Sequence, residues 1–468
     1  MEGTLKGKNI RVPARASIWY VATSVTTKAV GLLVTPVFTR ILSGEEYGEY
    51  SLYMSYLGLF SVICTVGFSS AVIYKGFQLF SKERDGFISA ALGFNLCLCL
   101  AICILLFTIS SVVGISPELS LVLCIQIIAD SAIGLSLMQK RYVYEYKTVA
   151  LVGVFESVAA PAISLLLLYG TPLGFTAKIW GLLIPAVLAA SPLVLGILRK
   201  SSRLFDKQVW RFLLYRSLPL FPGIVSGAIA SHVGSFVISR TLGSDALAKY
   251  SVTHSVGIGL LFVVSTLGAS LAPWITRKLE AKRIDTVSEV IGVLFTLLGA
   301  ATLFLIAVVP EVVGFLAPPE YGESIFAALP IALATLPSFI TGVAGIGLVF
   351  SDKGGSVTLS SVVGAASSLL LSLFLTPTLT YIGAGAAQLA SGVATCLVSL
   401  YCLSRARLGS AVKIHDVLPV FISTSLFGLL ITLLYNYAAL RILLLIIPVT
   451  VIFRTLPAAI ELIKEKNC

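Results

Sequence analysis

Lys28 is the side chain in this sequence best placed to do chemistry, because it lies where a charge is costly. It falls near the centre of an apolar stretch, roughly residues 16–39, long enough to cross a membrane as a helix. A lysine at mid-depth costs about 3 kcal/mol on insertion scales and cannot easily reach an interface, so it needs a partner or water. Ser17, Tyr20, Ser24, Thr27, Lys28, Gly31 and Thr35 recur at intervals of three or four, which puts them on one helix face. A polar stripe carrying one ammonium has two physical uses. It can wall a substrate cavity for an anionic group such as a phosphate, with Ser24, Thr27 and Thr35 as further donors. It can also pair with a carboxylate from a neighbouring helix.

Asp130 and Glu156 are the carboxylates placed well inside apolar stretches. Asp130 lies ten residues before Lys140 and Glu156 nine after Lys147, so on sequential helices they reach similar depth. Carboxylates in a low dielectric suit proton or sodium coupling, so a H+ or Na+ gradient is the energy source they would serve. The alternative is structural: hydrogen bonding to Gln126 or Ser157, or pairing with Lys28. His232 and His254 form a second depth-matched pair, each eight residues or so from the connector between their helices, and suit phosphate binding or proton relay. A histidine bonded to a backbone carbonyl is their structural alternative. Arg216, at the mouth of the next helix, is a headgroup anchor or a first contact for a phosphate. Pro219, Pro222, Gly223, Gly227 and Gly234 give that helix enough breakers to bend.

The elements that must position these groups are membrane spans. The chain of 468 residues is 57% hydrophobic and 12% charged, with a mean hydropathy of +0.98, which excludes a water-soluble domain. Apolar runs predict an all-α polytopic fold of about fourteen helices, roughly 16–39, 50–74, 87–110, 114–138, 148–169, 176–198, 213–239, 247–273, 287–309, 325–350, 357–376, 382–403, 417–437 and 441–460. Of the 33 Lys and Arg, 27 fall in alternate loops and at the termini on one side, five on the other, and Lys28 within a span. That asymmetry places both termini in the cytoplasm and assigns the net charge of +11 to anionic membrane lipids rather than nucleic acid. The first apolar run is too long for a cleavable signal and carries Lys28. The eight cysteines lie mostly within helices without metal spacing and read as small packing residues. No nucleotide loop, zinc constellation or nucleophile elbow is present, so no cofactor, metal or enzyme activity is expected.

The chain also repeats itself. Arg40-Ile41-Leu42-Ser43-Gly44-Glu45-Glu46-Tyr47-Gly48-Glu49-Tyr50-Ser51 aligns with Arg240-Thr241-Leu242-Gly243-Ser244-Asp245-Ala246-Leu247-Ala248-Lys249-Tyr250-Ser251, and Gly134-Leu135 to Lys140 echoes Gly347-Leu348 to Lys353. Related halves in one membrane chain suit alternating access. The expected organisation is an N-terminal lobe over 1–198, a basic linker over 199–212, a second six-helix lobe over 213–407, and an appended helix pair with tail over 408–468. The two lobes are expected to face each other. The connectors at Arg40–Tyr50 and Arg240–Tyr250 read as short structured turns, and Glu311, Glu320 and Glu323 as a solvated acidic loop.

The opening of the chain, from Ile18-Trp19 through Pro36-Val37-Phe38-Thr39-Arg40-Ile41-Leu42, Glu45-Glu46-Tyr47-Gly48-Glu49-Tyr50-Ser51 and Val66-Gly67-Phe68, resembles bacterial polysaccharide flippases of the Wzx type. Leu218-Pro219-Leu220-Phe221-Pro222, Ile238-Ser239-Arg240 and Tyr250-Ser251 resemble the start of their second lobe. These flippases belong to the polysaccharide biosynthesis transporter family in the MATE-like MOP superfamily. The resemblance implies an inner-membrane flippase that moves undecaprenyl-pyrophosphate-linked oligosaccharide outward for O-antigen, capsule or a related polymer. It also implies a cavity lined by spans one, two, seven and eight, and a polysaccharide polymerase and chain-length machinery as partners. Family members often carry an Asp-Arg pair in span seven where this chain reads His232-Val233-Gly234-Ser235, so that pair's role does not transfer. The alternatives are a cation-coupled exporter of the MATE type, which Lys28 disfavours, and a glycan polymerase or ligase, which would need a large external loop.

Overall fold

The computed structural model describes residues 11–65, 70–201, 203–219 and 221–465. Val66-Gly67-Phe68 and Leu220 of the family motifs lie outside the described residues, as do Lys6, Lys8 and Cys468. Among these residues every regular element is a helix, and the chain divides into two compact units, Met1–Val225 and Ser226–Cys468.

The first unit contains α1 (Arg11–Ile41), α2 (Gly44–Cys64), α3 (Ser70–Leu79), α4 (Arg84–Val113), α5 (Pro117–Tyr142), α6 (Tyr146–Gly170), α7 (Phe175–Lys200) and α8 (Lys207–Ser217). Two buried clusters hold it together. One joins α2, α4, α5 and α7 through Tyr53, Leu57, Leu106, Leu123, Ile127 and Ile179; the other packs Phe77, Phe87, Leu92 and Ile197 against Val209 and Leu213. α6 and α7 approach closely because Gly181 has no side chain: a Cβ there would stand 2.0 Å from Ser164 Oγ and 2.7 Å from the Ser164 backbone.

The basic connector read over 199–212 is partly helical. Asp206 caps α8, accepting from the Gln208 and Val209 amides at 2.9 and 3.2 Å. Trp210 Nε1 donates to the Ala90 carbonyl at 3.0 Å, which fixes α8 to α4. The next helix, α9 (Phe221–Thr241), therefore starts eight residues later than the apolar run over 213–239 implied. α8 is amphipathic, and its apolar half reads in sequence as the beginning of that run.

The second unit continues with α10 (Ser244–Gly257), α11 (Leu261–Glu280), α12 (Ile284–Leu316), α13 (Ala328–Leu333), α14 (Thr335–Phe350), α15 (Gly354–Arg405), α16 (Ile414–Leu433), α17 (Ala438–Leu444) and α18 (Ile446–Glu465). Its core sits between α11, α12, α14 and α15, around Ile275, Ile291, Phe295, Leu336, Phe339 and Leu403. α15 is a hairpin. Thr380 has φ 53° and ψ −128°, and beyond it the chain folds back so that Ser391 Oγ donates to the Gly364 carbonyl at 2.7 Å. Gly383 makes the return possible, since a Cβ would lie 2.0 Å from the Leu375 carbonyl oxygen. α16 is seated on α12 where Gly299 faces Thr424.

Eleven helices among the described residues are long and apolar enough to cross a membrane. The chain is a multi-pass membrane protein. The expected fourteen exceeds that number because it also takes α1 and α2 as spans and divides α15 at Thr380.

The repeated motif folds the same way twice. Leu42 N donates to the Phe38 carbonyl and Tyr47 N to the Ser43 carbonyl; Leu242 N donates to Ile238 and Leu247 N to Gly243. Both connectors are tight turns, as read from the sequence, but their caps differ. Ser43 and Glu46 form a reciprocal capping box, whereas Gly243 takes φ 92° and offers no side chain.

Candidate functional site

In α1, the polar positions do not all share one environment. Thr23 and Thr27 turn toward α6, where a Cβ on Gly153 would meet their methyl groups at 3.0 and 4.0 Å. Trp19 stacks with Tyr146 at 6.1 Å between ring centroids, which fixes the register of α1 against α6. Thr27 donates its hydroxyl to the Ser24 carbonyl at 3.0 Å and can still accept, whereas Thr35 donates to the Gly31 carbonyl at 2.8 Å and is also hydrogen-bonded to the Tyr47 side chain of α2. Ser24 and Thr35 are half-buried and Lys28 is exposed. Among the described residues Lys28 has no carboxylate within ion-pair distance. The counter-ion arrangement, in which Asp130 or Glu156 neutralises it, is therefore not formed in this structure.

Asp130 instead accepts from Gln126 Nε2 at 2.8 Å within α5. Glu156 stands half-buried on α6, one turn beyond Gly153, and is close enough to Asp130 for the two charges to interact. The expectation that helices α5 and α6 could bring the two carboxylates near each other is consistent with this contact. Near them the Tyr53 hydroxyl and Gln126 Oε1 are buried without a hydrogen-bond partner among the described residues. Cys99 Sγ contacts Ser131 Oγ at 3.3 Å, and Cys103 and Cys124 exchange weak bonds with each other's carbonyls at 3.9 Å, so these thiols pack between α4 and α5. No group of three metal-ligating side chains forms among the described residues.

In the second unit α9 and α10 bring His232 and His254 within electrostatic range of each other, and His254 bonds the Gln388 side chain. The Tyr250 ring lies 5.3 Å from the His254 ring, and its hydroxyl sits 3.4 Å from where a Gly234 Cβ would be. Arg216 is exposed in the last turn of α8.

Three charged features escaped the sequence. Lys178, counted there as an outer-side charge, is only 8% exposed, with its ammonium 3.7, 4.3 and 4.5 Å from the ring centroids of Tyr50, Tyr47 and Phe38. The acidic loop is not freely solvated: Glu323 pairs with Lys249 at 3.0 Å, and Glu311 pairs with Arg441. Lys249 also holds Asp245 at 3.1 Å. The clue to the cage was present, since Tyr47 and Tyr50 are part of the repeated motif, but nothing local points from them to a residue so far along the chain.

Comparison with solved structures gives the fold a wider setting. The lipid II flippase MurJ in an inward closed conformation superposes with a TM-score of 0.68 at 15% identity, covering 94% of this chain and 99% of its own. An inward-facing multidrug resistance MATE family transporter of the MOP superfamily gives 0.65 at 13% identity, covering 81% of this chain and 95% of its own. An outward-facing member of that family gives 0.59 at 13% identity, over 86% and 96%. No curated protein sequence matches the chain. The sequence model of the polysaccharide biosynthesis protein family matches residues 14–279, more than half of the chain, and the protein belongs to that family.

Proposed function

We propose that this protein is a flippase that carries lipid-linked oligosaccharide units across the bacterial inner membrane by alternating access, with both termini in the cytoplasm. Family membership supplies the polysaccharide context, and the fold shared with a lipid II flippase supports a lipid-linked cargo. The observation that carries the reading is Lys28: an ammonium in a polar stripe of α1 with no acidic partner among the described residues. A fixed cation of this kind answers a pyrophosphate better than a cationic drug. Ser24, Thr27 and Thr35 supply hydroxyls beside it, while His232 and His254 offer a second set of contacts and Arg216 a contact for an arriving headgroup. Asp130 and Glu156, near each other and away from strong cations, are the groups proposed to couple transport to H+ or Na+. O-antigen or capsule assembly, with its polymerase and chain-length partners, is the proposed setting. The organisation proposed with it keeps fourteen spans, with lobes over 1–198 and 213–407, the 199–212 linker, and an accessory pair over 408–468.

The test is transport in reconstituted vesicles, or polymer display by cells that depend on this chain. Lys28→Ala is expected to insert at normal abundance and lose transport, and Lys28→Arg to keep part of it. In a low-dielectric path an ammonium about 4 Å from one phosphate charge contributes about 4 kcal/mol at an effective dielectric of 20, before desolvation is subtracted. Full transport by Lys28→Ala would refute the substrate contact. So would restored activity when Asp130 or Glu156 is neutralised in the same chain.

A further inference from the structure

A cleft of about 170 Å³ opens between the ends of α5, α6 and α7 at the basic end of the first unit. Gln139, Lys140, Thr148 and Lys200 provide its polar wall, and Leu193 and Ile197 its floor. Its donors are only partly used. The Gln139 amide and the Thr148 hydroxyl have no side-chain partner among the described residues. Glu145, at the head of α6, makes no side-chain cap, so the first amides of a 25-residue helix remain open toward negative charge. The two lysines are held by acids at the rim, Lys140 by Glu145 at 2.7 Å and Lys200 more loosely by Asp85 at 3.9 Å. Both acids are about half exposed, so an incoming phosphate anion can displace them into water at small cost.

The wall of the cleft continues as a lipid-facing stripe. Leu188, Pro192 and Leu195 share one face of α7 at intervals of four and three, and the two leucines are exposed. Headgroup donors at a helix end, with an apolar stripe running from them along the same helix, match an acyl-bearing phosphate. The second unit provides an internal control. Where the first copy of the echoed segment has Ser136, Gln139 and Lys140, the second has Val349, Asp352 and Lys353. Lys353 there donates to the Arg405 carbonyl at 3.0 Å, so that copy has lost two donors and committed its lysine to a helix end.

We propose that the α5–α6–α7 cleft binds the phosphoryl headgroup of an anionic membrane lipid, seated on Lys140 and Lys200 with its acyl chain along α7. The test uses the full chain purified in detergent, with binding read by native mass spectrometry and by thermal stabilisation. The probes are short-chain phosphatidylglycerol, the matching diacylglycerol without phosphate, and inorganic pyrophosphate. Phosphatidylglycerol is expected to bind, and the Lys140→Gln/Lys200→Gln double variant to bind it about tenfold more weakly. Glu145→Gln, which frees Lys140, should bind more tightly, and Lys353→Gln should match the unaltered chain. Competition by pyrophosphate would show that the phosphoryl group is what is recognised; failure to compete would show that the acyl chain is needed as well, and both fit the proposal. Equal binding of diacylglycerol, or affinity within twofold in the double variant, would overturn it. Because Glu145→Gln is a gain, loss of folding in the double variant does not remove the test.

Discussion

The cage around Lys178 makes a quantitative prediction. Replacing Lys178 with Met keeps the length of the side chain and removes its charge, while Tyr50→Leu removes the ring nearest the ammonium, at 3.7 Å. A desolvated ammonium–ring contact contributes about 2 kcal/mol. Tyr50→Leu in the unaltered chain loses that contact and the packing of the ring, a further 1–3 kcal/mol or so for a partly refilled site. In the Lys178→Met background only the packing loss remains. The pair should therefore couple by about 2 kcal/mol. Lys178→Met alone should be close to neutral, because the three rings offset the cost of burying the charge without an acid. The assay is unfolding of the purified protein in mixed micelles for the four members of the cycle. Additivity within about 0.5 kcal/mol would refute the cage as an electrostatic device and leave it as packing alone.

Two further predictions concern the second unit. Among the described residues Arg441, 2% exposed, leaves Nε and Nη1 unpaired and has one acidic partner, Glu311, which is 56% exposed on its side chain. Glu311→Ala should cost about 3 kcal/mol in unfolding measurements because it strands a buried charge, whereas Arg441→Leu should cost clearly less; the reverse order would contradict the burial argument. Gly383→Ala forces a methyl against the Leu375 carbonyl and should lower the amount of inserted protein by disrupting the hairpin, while Gly314→Ala, with open space at its Cβ, should not, as quantitative blotting of membranes would read.

The long apolar helices were legible because a membrane span must satisfy its own backbone and therefore needs an unbroken apolar run. Lys28 was legible for the same reason, as a lone ammonium in such a run, and so were the twin turns, because Leu42 and Leu242 sit in the same local hydrogen-bond pattern. Partners distant in sequence were not. Lys178 reads as a loop charge until Phe38, Tyr47 and Tyr50 are folded onto it, and Glu311 and Glu323 read as solvated until Arg441 and Lys249 arrive. α8 was hidden by its composition, since Lys207, Arg211 and Arg216 look like connector while Val209 and Leu213 fill a core. Pairing across units of sequence is set by helix packing, which local periodicity does not encode.

The turn at Thr380 bears on how this protein is made. Its 52-residue helical hairpin reverses within a residue or two, with no charged side chain between Gly354 and Ser404. Insertion machinery thus meets no hydrophilic segment to mark where one half stops and the other starts, and no charge to carry across the bilayer. The two halves are already in contact through Ser391 and Gly364, with polar backbone hidden between them. They would leave the ribosome as two separate stretches yet partition into lipid as one body, so a ribosome stalled just after Thr380 should hold a nascent chain whose first half is not yet committed to the membrane.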